Sequence, residues 1–527
     1  MRSAPLRPTA ATETASADET LGELVQRRAR AHGERVYVEP ARSDGVLTYA
    51  SLAEWHGALA AAAPARDSTV AVSISDPLQC AAFLIGAVAS GMWVAPLDPA
   101  TPDAGPSGLG SLTARMGADL IVADRPAPAD VPCRWVELTD LVSEGAANAT
   151  GAWAEVRTTG EGGIVLSSSG TTGSPKVMRL GQDKLLHTAR AVAAHHQLTE
   201  VDRGFNPLPL FHINAEVVGL LSTLMAGASL VLDDRFHRTG FWELVGDRDV
   251  TWINAVPAII SRLVELRPGE TVPSGVRFVR SASAPLPVVT ADRFEAATGL
   301  PIVETYGMTE AASQIAAHPL SVPRRAGSVG VPVGLELRVV RPDENGPAGA
   351  EARECPEAEV GEVEIRGASV IDAYEGGVHA ERFRPGGWLR TGDLGRLDED
   401  GYLYLVARTD DVINRGGEKV FPREIEEVIS ADPAVVTVAV IGQDDDELGQ
   451  VPVAYVVLDG VDGPDDAPVA AHLAARINNE LAHKLVRSGR PVALRVVASM
   501  PAGATGKVRR HALRALVDAP LFTFAVG

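Results

Sequence analysis

Residues 166–176 read Leu166-Ser167-Ser168-Ser169-Gly170-Thr171-Thr172-Gly173-Ser174-Pro175-Lys176, and they directly follow an apolar run that begins at Gly163. The apolar run predicts a strand, and the stretch rich in Ser, Thr and Gly predicts a loop at the end of that strand. Two glycines let main-chain N–H groups converge on an anion, hydroxyls donate further hydrogen bonds, and Lys176 adds a positive charge. The stretch predicts a loop that binds a triphosphate, with a flexible surface turn as the alternative.

This loop differs from the phosphate loop of the P-loop NTPases. Only two residues separate Gly170 from Gly173, where that motif needs four, and Val177 rather than Ser or Thr follows Lys176. Only five of the 48 lysines and arginines are lysines, so a lysine in a Gly-rich loop stands out against the composition. The pattern therefore argues against a P-loop NTPase.

Composition limits the class of protein. The chain has 527 residues, 46% of them hydrophobic and 22% charged, so we expect a large domain with a smaller partner. A net charge of −20 argues against nucleic acid or an anionic membrane as a partner. Three scattered cysteines predict neither a disulfide framework nor a zinc site, and no signal peptide or membrane segment is recognisable. We expect a cytoplasmic protein.

Alternating strand-like and helical stretches organise most of the chain. The predicted strands include Thr69–Ile74, Gly163–Leu166, Ser229–Leu232 and Val276–Val279. This alternation predicts a large layered α/β N-terminal domain with mostly parallel strands over residues 21–409. An amphipathic helix at Pro422–Ser430 and two β-rich runs then predict a small α+β C-terminal domain over residues 410–527. Residues 1–20 are predicted to form a flexible tail.

Seven further motifs follow the phosphate loop. In order they are Pro207–His212 (PLPLFH), Ser281–Pro285 (SASAP), Glu304–Glu310 (ETYGMTE), Trp388–Asp393 (WLRTGD), Ala407–Asp411 (ARTDD), Arg415–Lys419 (RGGEK) and Pro501–Lys507 (PAGATGK). Together with the loop they resemble the adenylate-forming superfamily of acyl-CoA synthetases, peptide-synthetase adenylation domains and luciferases, over nearly the whole chain. Arg280 before the SASAP motif and the run Asn414–Lys419 are closer to small-acid and aryl-acid CoA ligases.

The resemblance implies a site for ATP and Mg²⁺. Tyr306 would stack on adenine, and Asp393 would accept hydrogen bonds from the ribose hydroxyls with Arg408 nearby. Glu310 would bind the magnesium ion, because a carboxylate is a hard ligand for a hard cation. Lys507 would bridge the substrate carboxylate and the α-phosphate. The implied ATP-binding residues are Ser168, Ser169, Gly170, Thr171, Thr172, Gly173, Lys176, Ser283, Ala284, Glu304, Thr305, Tyr306, Thr309, Asp393, Arg408 and Lys507. The implied catalytic residues are Lys507, His212, Thr309 and Glu310.

The resemblance also implies a mobile C-terminal domain. It would turn about the hinge residue Asp410, so that Lys507 leaves the site and Gly417 arrives. Arg415, Gly416 and Gly417 would then lie beside CoA. A glycine at 417 suits a narrow passage for the pantetheine arm, and a simple hairpin glycine is the alternative.

The acid pocket is predicted from three segments of the chain. Its implied residues are His212, Ile213, Asn214, Glu216, Val218, Ser281, Ser283, Gly307, Met308 and Gln314. Asn214 and Glu216 among apolar neighbours could recognise a hydroxyl or amino substituent on an aromatic acid, although Glu216 could instead face solvent or cap a helix. His212 would gate the channel near the carboxylate, with a hydrogen-bonded core histidine as the alternative. Residues 212–218 contain no Arg or Lys, which argues against a dicarboxylate.

The sequence thus predicts an AMP-forming acid–CoA ligase. It would activate a small aromatic carboxylic acid with ATP and transfer the acyl group to CoA as a thioester. The alternatives are transfer of the adenylate to a carrier protein or an amine, or activation of nitrite for diazotisation of an aryl amine without CoA. A nucleotide-binding regulator without turnover is disfavoured because Lys507, Glu310 and Asp393 are retained. We expect a monomer or homodimer with a role in specialised metabolism.

Overall fold

The computed structural model describes residues 18–62, 68–103, 108–128, 133–148, 158–168, 176–341, 353–459, 467–501, 508–516 and 521–523. Most of the predicted tail therefore lies outside the described residues. Its last residue, Thr20, caps the first helix, because its side chain accepts a hydrogen bond from the main-chain N–H of Glu23. Among the described residues, every helix is too short or too polar to cross a membrane.

The helices of the described residues have the following bounds. They are α1 Leu21–His32, α2 Tyr49–Ala62, α3 Pro77–Ala89, α4 Leu109–Met116, α5 Leu138–Asn148, α6 Gln182–His195, α7 Ser222–Ala226, α8 Phe241–Asp247, α9 Pro257–Leu263, α10 Val288–Thr298, α11 Pro422–Ser430, α12 Ala467–Lys484 and α13 Arg510–Leu513. A π-helical segment, Asn214–Leu221, directly precedes α7. The helices predicted at Leu21 and at Pro422–Ser430 are confirmed.

The strands of the described residues follow in chain order. They are β1 Val36–Pro40, β2 Leu47–Thr48, β3 Thr69–Ser73, β4 Trp93–Pro96, β5 Leu120–Ala123, β6 Arg134–Glu137, β7 Gly163–Ser168, β8 Lys176–Gly181, β9 Arg203–Asn206, β10 Ser229–Leu232, β11 Trp252–Ala255, β12 Phe278–Ser281, β13 Ile302–Tyr306, β14 Ala316–Ala317, β15 Val331–Pro332, β16 Glu336–Val340, β17 Gly361–Arg366, β18 Phe383–Arg384, β19 Trp388–Leu397, β20 Leu403–Arg408, β21 Ile413–Arg415, β22 Glu418–Val420, β23 Val435–Asp445, β24 Gly449–Leu458, β25 Ala493–Val496 and β26 Leu521–Thr523.

One predicted strand is displaced. The run Val276–Val279 was expected to be extended, but β12 begins only at Phe278. Val276 instead closes a turn, in which its N–H donates to the carbonyl of Pro273. Arg280 and Ser281 therefore lie inside β12 rather than in the loop after it.

Two large sheets form the first part of the molecule. The nine-stranded sheet has the order β15-β14-β13-β12-β11-β9-β10-β1-β2 and is parallel from β13 to β1. The second has the order β6-β5-β3-β4-β7-β8, with only β7 and β8 antiparallel. The predicted layered α/β architecture with mostly parallel strands is confirmed. Parallel strands bring their carboxyl ends to one edge, where such folds bind ligands.

The helix α3 shows how the two sheets are joined. Asp76 caps it by accepting the N–H of Gln79, and Pro77 starts it with a residue that needs no hydrogen-bond donor. Every residue from Cys80 to Ala89 is buried, so the helix is apolar on all sides. It contacts β1 of one sheet and β4 of the other. A helix buried all round is expected between two layers.

The last part of the chain forms a sheet of its own. A third sheet contains β16 to β20, and a fourth is built from β21 to β26, all of which follow Arg408. Buried apolar residues of α11 and α12 pack on the fourth sheet. This smaller α+β unit confirms the predicted fold class, whereas the exact domain boundary at residue 410 remains a prediction.

Candidate active site

The predicted phosphate loop connects two antiparallel strands. Main-chain pairing between β7 and β8 continues to the pair Ser168 and Lys176, so the loop leaves and rejoins the sheet at one point. Residues 169–175, which include the predicted Ser169, Gly170, Thr171, Thr172 and Gly173, lie outside the described residues, as does Lys507. Their predicted roles remain predictions.

Lys176, at the end of this loop, points to a cluster of charged side chains. Its Nζ lies 5.4 Å from the centre of the Tyr374 ring. Burial, followed by the nearby Arg382 guanidinium, lowers the pKa of Lys176, while Glu310 counteracts this shift. Desolvated cations close to one another repel, so the cluster is prepared to accept a polyanion.

Glu310 lies at the centre of this cluster and is almost fully buried. Its Oε1 accepts a hydrogen bond from the Tyr374 hydroxyl at 2.7 Å and another from Arg382 Nη1 at 3.2 Å. Arg382 is fixed in turn by the main-chain carbonyls of Arg390 and Thr391. Within the described residues both hydrogen bonds fall on Oε1, so Oε2 is available to a cation. The site therefore fits the predicted Mg²⁺ ligand.

Tyr306, Asp393 and Arg408 form a second group. The Tyr306 hydroxyl donates to Asp393 Oδ2 at 2.5 Å, and Arg408 Nη1 lies 3.4 Å from Asp393 Oδ1. The pairing of β19 with β20 places Asp393 directly opposite Arg408. Burial raises the pKa of Tyr306, so it remains a neutral donor. Both oxygens of Asp393 are thus held in place, and their role toward a ribose remains a prediction.

The segment between Tyr306 and Gln314 is tightly folded. A Cβ on Gly307 would lie 1.5 Å from the carbonyl oxygen of Ser313, so no other residue fits there. Ala312 and Ser313 both have positive φ, a conformation that is costly for residues other than glycine. The chain thereby returns on itself and places Met308, Thr309 and Glu310 on a narrow turn beside β13.

The other residues of the adenine motifs are held by main-chain contacts. Thr305 Oγ1 donates to the carbonyl of Ser281 at 2.8 Å, which ties β13 to β12. Glu304 is buried, and burial raises its pKa to about 7. Ser283 has positive φ and is exposed, and Ala284 beside it is half-buried. Their contacts to a nucleotide remain predictions.

The predicted acid pocket contains a cation that the sequence analysis did not assign to it. Arg280, from β12, is 1% exposed. Its Nη1 donates to Asn214 Oδ1 at 2.9 Å and to Asn254 Oδ1 at 3.1 Å, and its Nη2 donates to Gln314 Oε1 at 2.8 Å. Although residues 212–218 contain no cation, Arg280 reaches them through Asn214. The lack of a cation within residues 212–218 therefore gives no reason to exclude a dicarboxylate, and the identity of the acid remains a prediction.

Glu216 is buried rather than facing solvent. It is 2% exposed, and neither of its carboxyl oxygens has a hydrogen-bond partner among the described residues. Burial raises the pKa of this carboxyl group far above its usual range, so it is neutral. The alternative that Glu216 faces solvent is wrong, while its role toward a substrate substituent remains a prediction.

His212 lies at the start of the π-helical segment. Its carbonyl accepts the N–H groups of Ala215 and Glu216, and its Nε2 is buried without a partner among the described residues. Burial lowers the pKa of His212, so the imidazole is neutral. The alternative of a hydrogen-bonded core histidine is not supported at Nε2. Ile213 and Val218 are buried in the core.

The predicted hinge residue and the residues predicted to lie beside CoA are located where the chain enters the fourth sheet, before β21 and at its end. Asp410 lies in a short turn, Thr409–Asp411. Gly416 and Gly417 connect β21 to β22, and both have positive φ, as a two-residue hairpin turn requires. Arg415 Nη1 donates to the carbonyls of Arg487 and Arg490, each at 3.1 Å. These contacts support the hairpin alternative for Gly417, and the CoA roles remain predictions.

Sequence reasoning identified four residues that the fold brings together: Lys176, Glu310, Asp393 and Arg408. It missed Tyr374 and Arg382, which orient Glu310, because they lie in an irregular segment without a motif. It also missed Asn254 and gave Arg280 no role. The signal for Arg280 was its position directly before the SASAP motif.

Family models and known proteins match most of the chain. A model of the AMP-binding enzyme family matches residues 25–375, and a model of the AMP-binding enzyme C-terminal domain matches residues 424–507. A sulfoacetate–CoA ligase from Cupriavidus necator is 35% identical over 513 residues, which cover 93% of this chain and 97% of that protein. A 2-succinylbenzoate–CoA ligase from Bacillus subtilis is 32% identical over 357 residues, which cover 66% of this chain and 68% of that protein.

Solved structures show the same fold. ATP-bound MatB from Rhodopseudomonas palustris superimposes with a TM-score of 0.81 at 26% identity, covering 94% of this chain and 99% of MatB. The o-succinylbenzoate CoA synthetase MenE from Bacillus subtilis with ATP and magnesium gives a TM-score of 0.78 at 25% identity, covering 93% and 99%. The charged cluster, the matched motifs and these likenesses agree with one another. The chain is a member of the adenylate-forming superfamily and belongs to the AMP-binding enzyme family.

Proposed function

We propose that this protein activates a small carboxylic acid with ATP as an acyl-adenylate and then transfers the acyl group to CoA as a thioester. The observation that carries the proposal is the convergence of Lys176, Arg382 and Glu310 on one side and of Tyr306 and Asp393 on the other, beside the predicted acid pocket with its buried Arg280. Such a site offers positive charge to phosphates and oriented acceptors to a ribose.

In the first half-reaction a carboxylate oxygen of the acid attacks the α-phosphorus of ATP, and pyrophosphate leaves. Lys176 would neutralise the departing phosphates, and Glu310 would hold a magnesium ion that supplies further positive charge when bound. Lys507 would hold the carboxylate against the α-phosphate. The neutral Nε2 of His212 could orient that carboxylate by a hydrogen bond, because a neutral imidazole can donate.

In the second half-reaction the thiol sulfur of CoA attacks the acyl carbon, and AMP leaves as the carbon–oxygen bond breaks. The thiol must lose its proton to water, and its sulfur must add to one face of the planar acyl carbonyl, forming a tetrahedral intermediate that expels AMP. Gly416 and Gly417 would line that approach after rotation about Asp410. Both relatives described above are named as CoA ligases, and this supports CoA as the acceptor.

The proposed acid is small, and we retain an aromatic acid as the first candidate. A relative named for 2-succinylbenzoate supports an aromatic substrate. Relatives named for sulfoacetate and oxalate support a shorter, strongly anionic one. Although these three acids differ in size, each carries a second acidic group.

The proposal is tested with the purified protein, ATP, Mg²⁺ and a panel of small aryl and alkyl acids, scored for pyrophosphate release with and without CoA. Mass spectrometry then identifies the product. We expect one acid to release pyrophosphate and to form its acyl-CoA only when CoA is present. Pyrophosphate release that never leads to a thioester would reject CoA as the acceptor and direct the search to carrier proteins, amines or nitrite with an aryl amine.

A further inference from the structure

Arg280 is a buried cation whose described partners are all neutral. The side-chain oxygens of Asn214, Asn254 and Gln314 accept its hydrogen bonds, at 2.8 to 3.1 Å. Among the described residues no carboxylate forms an ion pair with it. Placing an arginine in the protein interior without a counter-ion is costly, because its charge loses hydration and gains no compensating anion.

The groups around Arg280 form an excess of hydrogen-bond donors. Because a guanidinium only donates, each contacting amide must turn its oxygen toward Arg280 and its NH₂ group away. Within the described residues, the buried Nδ2 of Asn214, Nε2 of Gln314 and Nε of Arg280 all lack an acceptor. These donors match an anionic group with two or three oxygens.

This donor cluster belongs to the predicted acid pocket. Asn214 lies two residues after His212, Arg280 directly precedes the SASAP motif, and Gln314 ends the turn that begins at Tyr306. The reacting carboxylate must face the nucleotide at the carboxyl ends of β12 and β13. Arg280 is the penultimate residue of β12 and lies farther back, so a group bound to it would be at the opposite end of the acid.

We propose that the acid substrate carries a second anionic group, a carboxylate or a sulfonate, and that Arg280 binds it together with Asn214 and Gln314. This inference rests on the proposed function and specifies its substrate class. The second anion would complete the hydrogen bonds of the cluster and neutralise the buried charge. An acid of the same shape without the second anionic group would leave these donors unpaired and the charge of Arg280 uncompensated, so the pocket should reject it.

The electrostatics of the cluster agree with this assignment. Burial lowers the pKa of Arg280 to about 9, which expresses the cost of an uncompensated charge. Arg280 still carries its proton at neutral pH. An anion bound within hydrogen-bonding distance would raise this pKa again, since an opposite charge favours the charged form.

The experiment compares dianionic acids with monoanionic isosteres, in which a neutral group replaces the second anionic group and the reacting carboxylate is kept. The pairs are sulfoacetate with methylsulfonylacetate, malonate with acetoacetate, and phthalate with 2-acetylbenzoate. The rate of pyrophosphate release gives kcat/KM for each acid with the wild-type protein. In at least one pair we expect the dianion to be preferred by about 100-fold or more, as for sites with unpaired buried donors. The inference is overturned if, in every pair that reacts, the two acids have the same kcat/KM.

Variants then locate the subsite. Arg280→Gln should raise KM for the preferred dianion by about 100-fold, leave KM for ATP unchanged, and reduce the preference over the isostere. The matched control is Arg238→Gln, which removes a largely buried arginine that pairs with Glu270 away from the site. A folded Arg280→Gln variant that keeps the preference overturns the assignment. If this variant does not fold, the wild-type comparison decides alone.

The outcomes separate the two proposals. If the monoanionic acids are adenylated and the dianionic acids are not, the second-anion inference fails and the proposed function stands. If neither kind of acid, including the wider aryl and alkyl panel, releases pyrophosphate, both fail.

Discussion

Replacing Glu304 by glutamine should stabilise the protein, and more so at high pH. Glu304 lies in β13, 3% exposed, and burial raises its pKa to about 7 from an ordinary value of 4.5. The carboxyl group accepts a hydrogen bond from the main chain of Leu286, which a glutamine oxygen can also accept. Glutamine thus imitates the protonated acid without the charge.

The sign and size of the effect follow from proton linkage. Because the folded pKa is the higher one, the folded state binds more protons than the unfolded state between pH 4.5 and 7. The contribution of Glu304 is therefore most favourable below pH 4.5 and is lost as the pH rises through 7. The loss is about 3 kcal/mol at pH 8 and about 1 kcal/mol at pH 5. Arg324 and Arg423 lower this pKa and are already included in it.

Differential scanning calorimetry of wild type and Glu304→Gln at pH 5 and pH 8 measures this difference. We expect the gain in free energy of unfolding to be about 2 kcal/mol larger at pH 8 than at pH 5. Glu54→Gln, an exposed carboxylate in α2, is the matched control and should show no such dependence. A gain from Glu304→Gln that is equal at both pH values, or a loss at pH 8, would refute the reasoning.

Three further perturbations test the site. Gly307→Ala should reduce the rate of adenylation at least about 100-fold, because the added methyl group would lie 1.5 Å from a main-chain oxygen. The control is Gly275→Ala, which should be tolerated because the nearest atom to its added methyl group lies 3.9 Å away. Glu310→Gln should reduce pyrophosphate release by about 100-fold and raise the Mg²⁺ concentration for half-maximal rate; an unchanged Mg²⁺ dependence would contradict its role as a ligand. Arg510→Gln breaks a 2.6 Å ion pair with Glu426 and should destabilise the fourth-sheet unit by about 2 kcal/mol, measured by hydrogen exchange; unchanged protection there would contradict this.

The motif residues could be predicted because their chemistry is local. The charge of a lysine after a Gly-rich loop, or of an acid in a short turn after a strand, does not depend on where the strands lie in the fold. The parallel sheet then places the ends of β12 and β13 together, as the alternation of strands and helices predicts. Asp393 and Arg408 meet because β19 and β20 pair in one register, which no motif alone specifies.

The residues that were missed depend on burial and on contacts across long sequence distances. Tyr374 and Arg382 lie in a segment without regular periodicity, and their role becomes visible only where they contact Glu310. Arg280 entered the sequence analysis only as part of the resemblance to small-acid and aryl-acid CoA ligases, because its burial depends on the register of β12 against β11 and β13. Glu216 could equally have faced solvent, since a single polar residue in an apolar run does not show which side of a helix it occupies.

The contacts around the predicted hinge indicate how the two parts of the chain could move. Arg408 ends β20 and pairs with Asp393 in the predicted nucleotide site. Asp411, three residues later, lies 3.4 Å from Arg510. Arg510 follows Lys507 by three residues. If the chain turns at Asp410, Arg408 stays with the nucleotide, whereas Asp411 and Arg510 move together and carry the end of the lysine loop with them. Their ion pair would then be retained in both half-reactions, because it lies entirely on the moving side of the hinge.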